Sequence, residues 1–591
     1  MMKGDQVKDT FQRWRDTREE DLNPEDYQLF RDLGSACLAR GDSAQLLEFV
    51  QDEKNQGIVK CMGCVIMAPL VDEVVKKVTS AEPCQAAIVY LTRTCRSEEL
   101  LHGLLELIED INPGDISQTI IVLVPHFKTV LLRMEDRKAT SVGLVLAALQ
   151  KQMQRLPVPY TPQQEEADEY GLCRCCIALL QFTKCFVEEV KRKHGKSVTT
   201  TEDEELRTEL LKFCMRSLRE PLLEVELSHN RKSYLWLFAT EIMVTLSTIQ
   251  VSLSELLFFY NSLKKSTAMD NSQSMESRAS LAYLLFVQLI TIDSFPAVFS
   301  PIFVLQCNME YVSELLSSKK ESHLLKGLAL NAKSLESVQD HSLPVNLMEL
   351  KSFYSVPQKL RQVLTECPMK HLRESALQVF QLFVNKLDTE AKHKFFRCML
   401  KVSNHAGVES YIIKNIKNHL EFSMESGNAN KWFLGEEFLS LLGLVLHLPH
   451  GAETDLLNSM DRIMESLNLL RYLLIRDKNL WSNRDVWEEL GRMKDEYLKM
   501  LRVCLSISRA YYSAELKALK EDQKLKAKEA REAARSIRLS KSIKAKHEEV
   551  SDMSPEVQHQ VLQSALVTFD LMESLIVRIE EITEEKLKIP N

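Results

Sequence analysis

A pair of amphipathic stretches separated by a short break constrains this chain more than any other feature. From Glu436 to Leu448 apolar residues fall at Phe438, Leu441, Leu442, Val445 and Leu448, which places them on one face of an α-helix. Pro449 and Gly451 then end the helix. From Asp455 to Ile475 the positions Leu456, Met460, Ile463, Leu467, Leu470 and Leu474 repeat the pattern. Acids at Glu453 and Asp455 and bases at Arg471 and Arg476 sit where the helix dipole favours them. Two such helices and a turn cannot bury their apolar stripes alone. A chain built from many of them stacks them into a solenoid, whose usual work is to hold another macromolecule on its surface.

The same design recurs. Helical spacing predicts segments at Glu25–Ala39, Ser43–Glu53, Val59–Val78, Pro83–Thr94, Glu98–Glu109 and Ser117–Met134, with lengths and connections that suit hairpins of roughly 40 residues. Pro157, Pro159 and Pro162 make a rigid break, because each bars its predecessor from helical geometry. A long helix from about Glu166 to Lys193 is expected after it. Further helices are read at Ala279–Ile292, Met309–Ser317, His323–Ala332, His371–Lys386, Thr389–Val402 and Val408–Glu425. Ser554-Pro555-Glu556 opens a last one, to about Glu581. No stretch keeps a period of two over strand lengths. The expectation is therefore an all-α, HEAT/armadillo-like helical-repeat solenoid in two halves.

The polar segment Lys264–Glu276 is read as the boundary between the halves, residues 1–265 and 277–591, while His194–Glu205 has loop composition. A charged segment, 515–550, interrupts the second half. From Glu515 to Glu549 it holds 11 Lys/Arg against 7 Asp/Glu without a continuous apolar stripe, and reads as a solvated extension.

At 591 residues the chain exceeds one compact core, and 45% hydrophobic with 27% charged residues fits a folded protein. A formal charge of −8 carries no footprint for nucleic acid. The opening Met-Met-Lys-Gly-Asp lacks the apolar core of a secretory signal. The apolar runs Leu235–Tyr260 and Leu281–Gln306 are broken by Glu241 and Glu255 and by Asp293, Pro296 and Pro301, so they read as core helices without membrane insertion. Fourteen cysteines without regular spacing indicate a reducing compartment, cytosol or nucleus.

Motifs for chemistry are weak. Cys61-Met-Gly-Cys64 and Cys173-Arg-Cys175-Cys176 lack a second ligand pair and read as core cysteines rather than metal or redox sites. Gly195-Lys196-Ser197 resembles the end of a phosphate loop, but Val190 stands where an earlier glycine is required. Lys191-Arg192-Lys193 has the composition of a nuclear import cluster. No nucleophile elbow, zinc-protease helix or dinucleotide turn is present, so no enzyme of a motif-bearing class and no cofactor is expected.

Several longer strings carry a resemblance. Asp168-Glu-Tyr-Gly-Leu-Cys173-Arg-Cys175-Cys176, Phe182-Thr-Lys184, Asn430-Lys431-Trp432-Phe433, Gly451-Ala-Glu-Thr-Asp-Leu-Leu457 and Asp461-Arg-Ile-Met-Glu-Ser-Leu-Asn-Leu-Leu-Arg-Tyr-Leu473 are similar to the glomulin family, with shorter matches along the whole chain. From about Leu519 to Val550 the chain departs from that pattern. The resemblance implies a HEAT-like, non-enzymatic protein whose C-terminal repeats bind the RING domain of the RING-box subunit of cullin-RING ubiquitin ligases, and through it cullin. Covering the docking face of the ubiquitin-conjugating enzyme, such a protein inhibits ubiquitin transfer. Immunophilins, a receptor tyrosine kinase and vascular development are further associations that the resemblance implies. A transport or assembly adaptor with no effect on ubiquitin transfer is the alternative.

Interfaces concentrate their energy in aromatic and arginine residues. Lys431 and Trp432, read as preceding a helix, with Lys414 and Lys417 a turn apart on the neighbouring helix and Arg471 off the apolar stripe of the next, make the expected partner-binding ridge. The competing reading packs Trp432 into the core and, if so, moves the contact surface toward Tyr511 and the last helix.

Overall fold

The structure, a computed structural model, describes residues 4–17, 22–76, 81–193, 201–227, 232–249, 251–259, 271–425, 427–476, 484–536 and 555–587. Among the described residues every regular element is an α-helix or a short 3-10 turn, and Leu343 and Leu387 form one isolated parallel bridge. The fold is all-α and built of helical repeats. It divides into two compact units, Met1–Ser337 and Val338–Asn591.

In the first unit helices pack in pairs, some consecutive in the chain and some not. Ser43–Gln51 lies on Glu82–Thr94, Ser97–Glu109 on Ile116–Arg133, and Lys138–Met153 on Thr201–Arg219. Phe127, Phe182, Phe186, Phe213 and Phe238 fill the core with less than 2% of their surface exposed. Helix starts follow the capping chemistry of the sequence. Thr161 accepts the Gln164 amide and Gln164 Oε1 answers to the Thr161 amide, with Pro162 in the first turn.

Two expected helices are broken. The stretch read as Val59–Val78 runs as Gln56–Met62, a 3-10 turn at Gly63–Ile66, and Met67–Lys76, with Lys77 and Val78 outside the described residues. At Gly63 a Cβ would stand 2.7 Å from Cys95 Sγ and 2.8 Å from Leu91 Cδ2, so only glycine permits this approach. The helix expected from Glu166 is interrupted by Asp168 and Gly171, both at positive φ, and restarts at Leu172. The Asp168 carboxylate accepts the amides of Cys173 and Arg174 and thereby caps the new start.

Of the expected boundary Lys264–Glu276, residues 264–270 lie outside the described residues and the rest is helical, and helices before and after it belong to one unit. Thr201–Arg219 and Asn271–Phe286 pack together, and Arg219 pairs with Glu276 at 2.7 Å. The division between units falls instead after Ser337. Thr201–Glu205, expected as loop, is helical, its acids Glu202, Asp203 and Glu204 lying in the first turn where the dipole favours them. The helix expected to reach Ile292 ends at Phe286, while those expected at Met309 and His323 begin earlier, at Pro301 and Glu321.

In the second unit Lys351–Glu366 packs on Lys370–Lys386, and Thr389–Val402 on Ala406–Met424. The latter also packs on Met460–Ile475. The helical pair expected at Glu436–Leu448 and Asp455–Ile475 is present but shorter, as Glu436–Val445 and Met460–Ile475. Residues 455–459 turn instead, because Asp455 Oδ1 accepts the amides of Leu457 and Asn458. The charged segment is helical as far as Ser536, in a helix that starts at Arg484, and the rest of it lies outside the described residues. The last helix, Pro555–Leu587, contains a stretch, His559–Glu585, long and apolar enough to cross a membrane. Its face of Phe569, Met572, Ile576 and Ile579 is buried, and Arg502 and Arg509 of the Arg484–Ser536 helix pair with its Glu580, Asp570 and Glu573.

Candidate functional site

The surface around Trp432 is built from Asn430 outward. Asn430 Oδ1 accepts the amides of Trp432 and Phe433 at 3.1 and 3.0 Å, and its Nδ2 donates to Ser423 Oγ. This double cap starts a four-residue helix, Lys431–Leu434, so Lys431 and Trp432 lie within a helix rather than before one. Phe433 points inward and is fully buried, its ring 4.6 Å from that of His419 and 5.8 Å from that of His393. Trp432, one residue earlier, is half-buried. Its ring lies 5.3 Å from His393, with the Lys431 ammonium 5.0 Å and the Lys394 ammonium 6.0 Å from its centroid.

An aromatic face between two cations and an imidazole is held in place while keeping an exposed side. Burial lowers the pKa of His393, partly countered by the hydrogen bond its Nε2–H donates to the Glu437 carbonyl. Trp432 is therefore neither a core residue like Phe433 nor a free ridge residue.

The other expected contacts form a separate group. Lys414 is exposed on the Ala406–Met424 helix, and Lys417, a turn later, places its ammonium 5.2 Å from the Tyr472 ring centroid. Arg471, beside Tyr472, is exposed. The contacts of Trp432 run toward Thr389–Val402, whereas those of Lys417 run toward Met460–Ile475. Behind them a buried pair, Arg462 and Glu409 at 3.0 Å, ties Ala406–Met424 to Met460–Ile475. Arg462 also donates to the Leu444 carbonyl of the preceding helix. Burial raises the Glu409 pKa and the guanidinium opposes that.

Sequence reasoning missed Lys394 and Tyr472. Neither breaks the helical period, so only a partner across space identifies them. A further feature of this unit is a solvent-facing apolar stripe on the Arg484–Ser536 helix, at Met500, Val503, Ile507 and Tyr511, which are 42%, 45%, 51% and 60% exposed. Tyr511 belongs to the surface expected as the fallback.

The cysteine motifs lie in helical packing. Cys173 and Cys175 are buried, and burial pushes both thiols up to about 12, far from the thiolate that redox or metal chemistry uses. Cys61 is buried and Cys64 half-buried, the latter with its thiol raised by burial. Gly195-Lys196-Ser197 lies outside the described residues, and Lys191 is exposed at the end of its helix.

The chain as a whole has relatives among known proteins. A family profile described as "Uncharacterised protein family, YAP/Alf4/glomulin" matches residues 6–565. The chain belongs to the YAP/Alf4/glomulin family. Relatives include glomulin of Homo sapiens, 43% identical over 585 residues and 96% of each chain, and glomulin of Mus musculus, 42% identical over 583 residues and again 96% of each. The match to this family thus spans both units. Among solved structures a "circular tandem repeat protein with novel repeat topology and enhanced subunit contact surfaces" aligns over 95% of this chain and 97% of its own, at 11% identity. Its TM-score of 0.17 is too low to carry a fold relationship.

Proposed function

We propose that this chain is a non-enzymatic inhibitor of cullin-RING ubiquitin ligases. Its second unit binds the RING domain of the RING-box subunit and masks the face on which the ubiquitin-conjugating enzyme docks. Family membership over nearly the whole chain supports the reading, and the arrangement of Trp432 carries it at the site: a half-buried indole fixed between Lys431, Lys394 and His393 on a helical surface. A RING acts only with a conjugating enzyme docked, so a competitor need only bury that face, and a prearranged helical surface does so with little ordering penalty. An interface of about 1,600 Å² in total is enough. The same reading places the protein in the cytosol or nucleus and adds immunophilins and a receptor tyrosine kinase as partners.

The test is calorimetric titration of the full chain with a purified RING-box RING domain. Binding is expected, and Trp432→Ala should weaken it by roughly 2 kcal/mol with a small change in melting temperature, because the indole is an anchor rather than core. A large fall in melting temperature with unaltered affinity per folded molecule would make Trp432 a packing residue and move the contact surface to the Met500–Tyr511 stripe.

A further inference from the structure

A cleft in the second unit, which shares Lys394 with the Trp432 surface, has the chemistry of a peptide-anchor site. It lies between the Lys351–Glu366 and Thr389–Val402 helices and encloses about 180 Å³. Phe353, Phe395 and Met399 are its buried floor, and Cys398 is a half-buried part of its wall. Tyr354 and Val402, 45% and 42% exposed, stand at its mouth. An apolar cavity of about 150 Å³ holds one benzene-sized group, whereas small-molecule sites run from roughly 300 Å³ upward. The cleft therefore fits one large apolar side chain rather than a whole cofactor or metabolite.

The charge around it selects the chain that carries such a side chain. The Thr389–Val402 helix carries Lys394, Arg397 and Lys401 at its surface against Glu390, which pairs with Lys394 at 2.9 Å, while its Lys392 is buried against His341. The Lys351–Glu366 helix bears Lys351, Lys359 and Arg361 against Glu366. Lys394 itself lines the cleft, and Lys351, Arg397 and Lys401 are exposed. Both walls are thus basic in a chain whose formal charge is −8. Buried apolar anchors supply affinity, and a rim of one sign supplies selection and steering.

We propose that this cleft binds an acidic linear peptide segment, which inserts one leucine or phenylalanine side chain between Phe353 and Met399 while its carboxylates face Lys394, Arg397 and Lys401. The inference does not depend on the ligase reading, because the occupant is recognised by local charge and one anchor.

Cys398 is the reporter. The full chain is treated with iodoacetamide, and alkylation of Cys398 is followed by mass spectrometry, with Cys367, half-buried in the same unit and outside the cleft, as the control. Three synthetic peptides are added in turn: a central Leu-Phe flanked by glutamates, the same pair flanked by lysines, and Ala-Ala flanked by glutamates. The first should slow Cys398 alkylation at least about fivefold and leave Cys367 unchanged, and the other two should protect neither. Lys394→Glu and Val402→Glu, both at exposed positions, should each weaken the Glu-flanked Leu-Phe peptide about tenfold, the size expected for one anchor or one close charge. Protection by the lysine-flanked peptide equal to that by the glutamate-flanked one overturns the proposal, as does absence of protection at saturating peptide or wild-type affinity in both variants.

Discussion

Lys326 shows how a single residue ties burial to pH. The residue is 3% exposed, and its ammonium donates to the carbonyls of Leu223 and Val225 and lies 5.5 Å from the Tyr283 ring centroid. Burial pulls its pKa down to about 7, partly countered by Glu224 and Glu226. An unfolded chain keeps a lysine proton until about pH 10.4. Between these values the unfolded state binds more protons than the folded one, so this residue makes stability rise with pH from about 7 to about 10. Below about 7 both states are protonated and the contribution is constant. The melting temperature of the wild type should therefore climb relative to Lys326→Met across that window, and parallel profiles would show that Lys326 is no buried cation. Nothing in the sequence distinguishes Lys326 from the solvated lysines around it, since its position is set by carbonyls about a hundred residues away.

Helices were legible where one face is apolar and one polar, and illegible where that contrast fails. Thr389–Val402 matches its expected bounds, because Phe395, Phe396 and Met399 alternate with Lys394, Arg397 and Lys401. Lys138–Met153 escaped notice because it is buried on several sides and shows no stripe. Lys351–Glu366 escaped because Pro357 reads as a breaker, although the structure accommodates it inside the helix. Of the expected contact residues, the positions of Lys414, Lys417 and Arg471 on helix surfaces followed from periodicity. The turn of Trp432 toward His393 did not, since it depends on the Asn430 cap. Arg462 and Glu409 were equally hidden, for a charged residue on an apolar stripe declares no partner. That pair makes a prediction about how helices are joined. Arg462→Met strands a buried carboxylate and should destabilise the protein by about 3 kcal/mol, whereas Arg462→Met with Glu409→Leu should recover most of the loss. A double variant as unstable as the single one would mean that the Arg462 bond to the Leu444 carbonyl, not the ion pair, holds these helices.

The all-α class of the whole molecule followed from periodicity, but its division did not. A polar segment at Lys264–Glu276 resembles a linker, yet Thr201–Arg219 before it packs on Asn271–Phe286, and the chain divides into its two compact units after Ser337. A fragment starting near Met275 would cut the Asn271–Phe286 helix and expose a face made to pack on Thr201–Arg219. Residues 338–591 should instead fold alone with a cooperative thermal transition and retain most of the full chain's affinity for the RING domain. A folded 338–591 fragment that does not bind would transfer the contact to the first unit.

Displacement of the conjugating enzyme distinguishes masking of the RING face from binding elsewhere on the ligase. A fluorescent ubiquitin-conjugating enzyme is bound to a reconstituted, neddylated cullin-RING ligase, and the full chain is titrated in while enzyme binding and ubiquitin-chain formation are followed together. Both should fall along one curve, with the Trp432→Ala curve shifted to higher concentration. Unchanged binding of the conjugating enzyme at a saturating concentration of the chain would contradict masking of the RING face.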